Sequence, residues 1–230
     1  KNRLIFITKY QMGFFRGPHI ITEDLFIQLD FSSPRCLNNG LTSVKNLAGG
    51  GETCTITNSG TDISLDTTTI GGGLNCLNWV GSTAAYIDTP DTGGMPLFSL
   101  EVWVYNVSGG NSRHSVFRNF WEIVGTQICF WSYSFANDYW RCSPSSLVPY
   151  NAWTQIVTTW DGSVIRHYIN GELEWTDSST SSGTSESMYH LTGYNGRRFK
   201  GKIASFSCYK KTLNASEVLQ NFNAKKDRFL

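Results

Sequence analysis

Cleaving a glycosidic bond takes two carboxylates about 5–9 Å apart, one on each side of the bond. The nearest pair in this sequence is Glu172 and Glu174, two residues apart in an extended run and so on one face of a strand. The same alternation turns Leu173 and Trp175 inward, which reads the two acids as a solvated outer face rather than a reaction centre. Glu101 lies on the same side of its strand as Trp103 and is a candidate lone acid in a ligand cleft, or a half-exposed strand residue. His19, His114, His167 and His190 are scattered, with no metal-ligand spacing, and His167, between Arg166 and Tyr168, reads as a strand surface position. Gly49-Gly50-Gly51 and Gly71-Gly72-Gly73 lack the following Lys-Ser/Thr of a phosphate loop and read as turns. No Gly-x-Ser-x-Gly elbow is present. The chemistry expected of these residues is binding, not catalysis.

Binding has its own candidates. Trp121, Trp131, Tyr133, Tyr139 and Trp140 gather around one expected hairpin. Exposed aromatics stack on sugar rings or anchor protein interfaces. Trp121, Trp131 and Trp140 are therefore the candidate glycan or interface residues, set against a simpler role as sandwich core. The six cysteines lack Cys-x-x-Cys spacing, which argues against zinc. A hairpin centred near Phe135-Ala136 would place Cys129 opposite Cys142 and Trp131 opposite Trp140, all four on one face. Bridging of Cys129 to Cys142 and burial as free thiols both remain open.

The elements that must carry these residues read as β-strands separated by turns. Leu25–Phe31 alternates, and Phe98–Tyr105 alternates most cleanly: Phe98, Leu100, Val102 and Val104 share one face, Ser99, Glu101, Trp103 and Tyr105 the other. Further strands are expected at 74–79, 84–87, 115–124, 126–133, 139–142, 153–160, 163–169, 173–175, 188–194 and 200–209. Asp161-Gly162 and Asn170-Gly171 are hairpin turns. Residues 36–72 read as loop with one short strand near Cys54-Thr55-Ile56. One helix is expected, from about Ala215 to Phe222, with Asn214 as cap, Glu217 completing a capping box, and Leu213 and Val218 at the staple positions. Many short strands and one late helix make an all-β, two-sheet antiparallel sandwich. Its domain covers residues 21–230, behind an arm at 1–20.

Net charge is +1, unevenly spread. The arm carries Lys1, Arg3, Lys9 and Arg16 with no acid, the last 21 residues total +3, and the middle totals −6. A basic arm on an acidic body fits docking onto an acidic protein surface or nucleic acid, set against a simpler role as a solvated tail. No apolar run approaches the roughly 20 residues of a membrane span, so no membrane role is expected.

Several segments resemble the laminin-G-like, concanavalin-A-like jelly rolls of tailed-bacteriophage structural proteins. Gly17–Leu25 leading to Leu29-Asp30 is similar to the family's opening strand, and Val44–Gly49 to its aspartate-leucine-serine-glycine loop. Phe98–Val104 resembles its central strand, Trp153–Gly171 its double hairpin, and Gly196–Tyr209 followed by Leu213–Ala224 its ending. The resemblance implies a jelly roll in a non-enzymatic virion protein, as capsid decoration or a head, neck or tail fibre component, assembled in the host cytoplasm. Its partners would be other virion proteins, such as the major capsid protein or fibre subunits, in a homo-oligomer, with the arm as anchor. The alternative is a carbohydrate-binding adhesin that recognises host surface glycans. The family's glycosidases carry three spaced acids on one strand, which this sequence lacks. Many members also carry an acidic loop, but the matching stretch Leu77–Tyr86 has lost those acids. Calcium needs several oxygen ligands, so no cofactor is expected.

Overall fold

The computed structural model describes residues 19–37, 41–57, 60–70, 74–81, 85–108, 113–118, 120–131, 140–178, 187–193 and 197–230. The arm residues Lys1, Arg3, Lys9 and Arg16, and Tyr133 and Tyr139 of the hairpin, lie outside this set.

The strands are β1 (Leu25–Asp30), β2 (Ser43–Lys45), β3 (Thr53–Thr57), β4 (Ile63–Asp66), β5 (Cys76–Val80), β6 (Tyr86–Asp88), β7 (Phe98–Asn106), β8 (Arg113–Phe117), β9 (Trp121–Val124), β10 (Gln127–Phe130), β11 (Arg141–Cys142), β12 (Trp153–Trp160), β13 (Ile165–Ile169), β14 (Glu172–Asp177), β15 (His190–Leu191) and β16 (Lys200–Tyr209). They form two antiparallel sheets of a sandwich. The first runs β14-β13-β12-β7-β16-β5-β4, with β1 also pairing β16; the second runs β11-β10-β9-β8-β15-β6-β3-β2. Helix α1 (Ala215–Lys225) and a 3-10 turn (Lys226–Arg228) end the chain.

Strand alternation builds the core. Phe98, Leu100 and Val102 of β7 pair with Trp160, Thr158 and Ile156 of β12 and point between the sheets. Phe98 meets Phe130 of the second sheet at 5.4 Å between ring centroids, and Phe117 meets Phe206 at 4.7 Å. Tilted aromatic contacts at such distances add to the apolar area removed from water. Trp121 is part of this core, 1% exposed, and offers no face to a ligand.

The second hairpin turns at Asn170-Gly171, both at positive φ, as a two-residue type I′ turn requires. The expected strand at 115–124 is instead β8 and β9, which fold back on one another with Phe117 opposite Trp121. Residues 36–72, expected as loop with one short strand, hold β2 and β4 as well as β3; both are short, and Leu37 and Val44 bridge in isolation. Helix α1 starts where the capping box puts it: Glu217 N–H donates to Asn214 Oδ1 at 3.0 Å, and Asn214 N–H donates to Glu217 Oε2 at 2.9 Å. It runs one turn past the expected Phe222, because Lys225 has a buried partner on β7.

Candidate functional site

The two outer faces of the sandwich differ. On the first sheet, α1 and the residues after it cover the face. Trp103 of β7 lies against Phe222 at 5.9 Å and Phe229 at 4.4 Å. Beside it Glu101, read from sequence as an acid in a cleft or half exposed, is fully buried. Its Oε1 accepts from Gln155 Nε2 at 3.2 Å and Lys225 Nζ at 3.1 Å, and its Oε2 from Asn221 Nδ2 at 2.8 Å. Asn221 Nδ2 also donates to the Tyr209 hydroxyl, and its Oδ1 accepts from Ile21 N–H. Burying a carboxylate is costly unless it is paired and hydrogen-bonded in this way. Glu101 therefore fastens the helix and has no ligand to meet.

Nor is His167 a strand surface position. It is completely buried, stacked on Trp175 at 5.0 Å, with Nδ1 2.8 Å from Thr158 Oγ1. Burial pulls its pKa down to about 3, against the opposing pull of Asp177. Glu172 and Glu174 are solvent-exposed. A bulge between them and β13 pairs Leu173 with Tyr168 but Trp175 with His167, leaving Glu174 unpaired. Leu173 and Trp175 consequently face opposite sides, and Leu173 is 51% exposed instead of inward.

The second sheet keeps polar and aromatic side chains on its outer face. Toward one end, Cys129 and Cys142 are cross-strand partners joined by a disulfide. Next to them Glu122 is buried, with Arg113 Nε on Oε2 at 2.7 Å and Arg197 Nη1 on Oε1 at 2.8 Å. Both guanidiniums also sit over the Trp140 ring, at 4.1 and 5.0 Å, and Trp131 stacks on Trp140 at 6.0 Å and on Phe120 at 5.5 Å. Trp131 and Trp140 are thus brought together as the cross-strand register requires, but their rings are engaged within the protein, and Trp131 is only 9% exposed.

Farther across the same face lies a second group. Ile87 and Leu191 point into the core, so Tyr86, Asp88 and His190 point out. His190 Nε2 meets Asp88 Oδ1 at 2.9 Å, with 47% of the Asp88 side chain exposed. Tyr86 stacks on His190 at 4.3 Å, Tyr189 meets it edge-on at 4.4 Å, and the Arg118 guanidinium lies 4.0 Å over Tyr189. Burial lowers the His190 pKa, and nearby Arg118 works in the same direction against Asp88. A neutral His190 donates Nε2–H to the carboxylate. Half-buried rings beside an exposed carboxylate can offer an apolar surface and a hydrogen-bond acceptor to one ligand.

A family model, the concanavalin A-like lectin/glucanases superfamily, matches residues 81–219, more than half of the chain. The chain belongs to this superfamily. Solved structures share its fold. Domain 4 of an extracellular arabinanase from Geobacillus stearothermophilus, in complex with arabinotriose, aligns with TM-score 0.63 and 20% identity over 89% of this chain and 100% of that one. The receptor-binding domain of botulinum neurotoxin type G aligns with TM-score 0.58 and 18% identity over 87% of this chain and 51% of that one. The binding domain of Paraclostridial mosquitocidal protein 1 aligns with TM-score 0.60 and 13% identity over 86% and 52%. The chain spans about half the length of these toxin domains. No curated protein matches it.

Within this concanavalin A-like frame, sequence reading missed Tyr86, Asp88, Tyr189 and His190. Strands were expected at 84–87 and 188–194, but the observed Tyr86–Asp88 and His190–Leu191 are three and two residues long, too short for alternation to say which side chains face out. Among the described residues, no group of three or more His, Cys, Asp or Glu side chains could hold a metal ion.

Proposed function

We propose that the chain is a non-catalytic recognition module that binds glycan through the outer face of its second sheet. The observation that carries this reading is the Tyr86–Asp88–His190 group, in which ring surfaces and an exposed carboxylate share one face. Sugars combine apolar C–H faces with hydroxyl donors, and such a pairing suits both. The arabinotriose-bound relative shares this fold and lends support. Glycosidase chemistry would need a second carboxylate opposite Asp88. Glu122, on the same face, has both oxygens held by arginines, and Glu172 and Glu174 lie on the edge strand of the other sheet.

A glycan array that includes arabino-oligosaccharides tests the reading. Binding should appear and fall at least tenfold in Tyr86→Ala and Asp88→Asn, without turnover of the bound sugar. An array with no hits, or hits unaffected by both substitutions, overturns it.

The basic arm favours a second, compatible reading: the module is displayed on a virus particle as a decoration or fibre subunit, in a homo-oligomer anchored by residues 1–20. The +4 charge of that arm and the phage-like opening and closing segments support it. Deleting residues 1–18 should abolish particle association and leave the domain folded. Truncated protein that still decorates particles rules out the arm as anchor.

A further inference from the structure

A pocket of about 440 Å³ opens where the loops on either side of β2 meet, lined by Arg35, Lys45, Asn46, Leu47, Gly49, Gly50 and Gly51. Two cations line it, and one carboxylate stands at its edge: Glu52 Oε1 lies 3.4 Å from where a Cβ on Gly50 would be. Arg35 and Lys45 are exposed cations, and neither side chain has an ion-pair partner among the described residues. The floor is Asn46, whose polar atoms are already used: Oδ1 accepts from Gln28 N–H and Ala48 N–H, and Nδ2 donates to Phe26 O and Glu52 Oε2. That floor is 1% exposed and rigidly held, so it shapes the pocket without competing for a ligand.

The opposite wall is backbone. The Gly51 N–H donates to Ala48 O, closing a tight turn, while the N–H groups of Gly49 and Gly50 at its tip find no acceptor among the described residues. Gly49 and Gly51 have φ of +52° and +72°. A Cβ on Gly51 would stand 2.9 Å from Lys45 Cε, so glycine there lets the lysine stem lie across the loop. Successive unpaired N–H groups in a turn with a left-handed residue form a concavity suited to an anion, and here two cations border it.

We infer that this pocket binds an oxyanion group, the sulfate or carboxylate of an acidic sugar unit. This rests on the glycan-binding reading and narrows it to acidic glycans. Lys45 lies on the outer side of β2, which is reached from Asp88 by crossing β3, because Thr53 pairs with Lys45 and Ile56 with Ile87. Two strand spacings and two residues of rise put Lys45 about 12 Å from Asp88. The face between is exposed at Thr53 and Thr55. One oligosaccharide can therefore lay neutral rings near Tyr86 and His190 and place an acidic unit in the pocket. Arg35 and Lys45 supply charge, and the Gly49 and Gly50 amides supply direction.

Amide chemical shifts and isothermal titration of the whole chain test this. The probes are inorganic sulfate, a sulfated heparin tetrasaccharide, an oligogalacturonate, neutral arabinotriose and vesicles with anionic phospholipid. Sulfate and at least one acidic oligosaccharide should move the Gly49–Gly51 amides. Affinity for that oligosaccharide should fall at least tenfold in Arg35→Gln/Lys45→Gln and stay unchanged in Lys200→Gln/Lys226→Gln, which removes equal charge elsewhere. All four positions are solvent-accessible, and unchanged melting temperatures confirm folding. Unmoved glycine amides, equal losses in both double variants, or binding of phospholipid vesicles without acidic sugar overturn the inference. Neutral sugar that binds through Tyr86 and Asp88 with no pocket response defeats the acidic-sugar inference alone. Acidic sugar that depends on Arg35 and Lys45 but not on Tyr86 or Asp88 defeats the sheet-face reading alone.

Discussion

Lys225 of the C-terminal helix and Glu101 of β7 form an ion pair closed off from water, with Nζ and Oε1 3.1 Å apart and only 4% and 1% of their side chains exposed. Removing one partner of such a pair strands the other charge in a medium that solvates it poorly. Lys225→Met should lower stability by about 3 kcal/mol in urea unfolding. Glu101→Gln/Lys225→Met should lose less than the sum of the single losses, because the neutral amide needs no counter-charge. An additive double variant would mean that the pair is not coupled.

The buried His167 makes stability fall in mild acid. Its pKa is about 3 in the folded protein against 6.5 as the ordinary value. Below pH 6.5 the unfolded chain takes up a proton that the folded chain refuses, so stability drops as pH falls. At about 1.4 kcal/mol per pH unit, the protein should lose roughly 2 kcal/mol between pH 6.5 and 5 relative to His167→Gln. Parallel pH profiles of the two proteins would contradict this.

The thiols should be silent until the chain unfolds. Cys36, Cys54, Cys76 and Cys208 are buried and unpaired, and burial pushes Cys36, Cys76 and Cys208 up to about 12 and Cys54 to about 11. A thiol-specific reagent at pH 8 should find no fast-reacting group in the native protein and four in denaturant. Reducing Cys129–Cys142 first should raise the denatured count by two and lower stability by about 3 kcal/mol, as expected for a loop of this size.

Gly171 is where the second hairpin touches the helix. It has φ +85°, and a Cβ there would stand 3.1 Å from Leu219 Cδ1 and Phe222 Cβ. Gly171→Ala should cost about 2 kcal/mol, through left-handed strain of about 1–2 kcal/mol together with displacement of α1. Hydrogen exchange should quicken in the helix. Unchanged helix protection would place the cost in the turn alone.

Local chemistry was legible in the sequence. The Asn214–Glu217 box, the Asn170-Gly171 turn, the β7 alternation and the Cys129–Cys142 register each depend on residues a few positions apart or on one hairpin, and side-chain type sets them directly. Signals failed where a local pattern was too short or irregular. The two-residue β15 showed no alternation, and the bulge at Glu174 reversed the side on which Trp175 lies relative to Leu173.

The sequence by itself determined a two-sheet β-sandwich with a capped terminal helix, because strand period, turn residues and capping groups act over short range. Only the tertiary structure decided which outer face the terminal helix closes. Alternation placed Glu101 and Trp103 on one side of β7, but could not say that Asn221, Lys225, Phe222 and Phe229 would arrive from the end of the chain to cover them. It also could not bring His190 to Asp88, or Arg35 to the glycine turn at 49–51. Those meetings come from how the sheets order their strands, and contacts between distant segments leave no periodic trace in either segment.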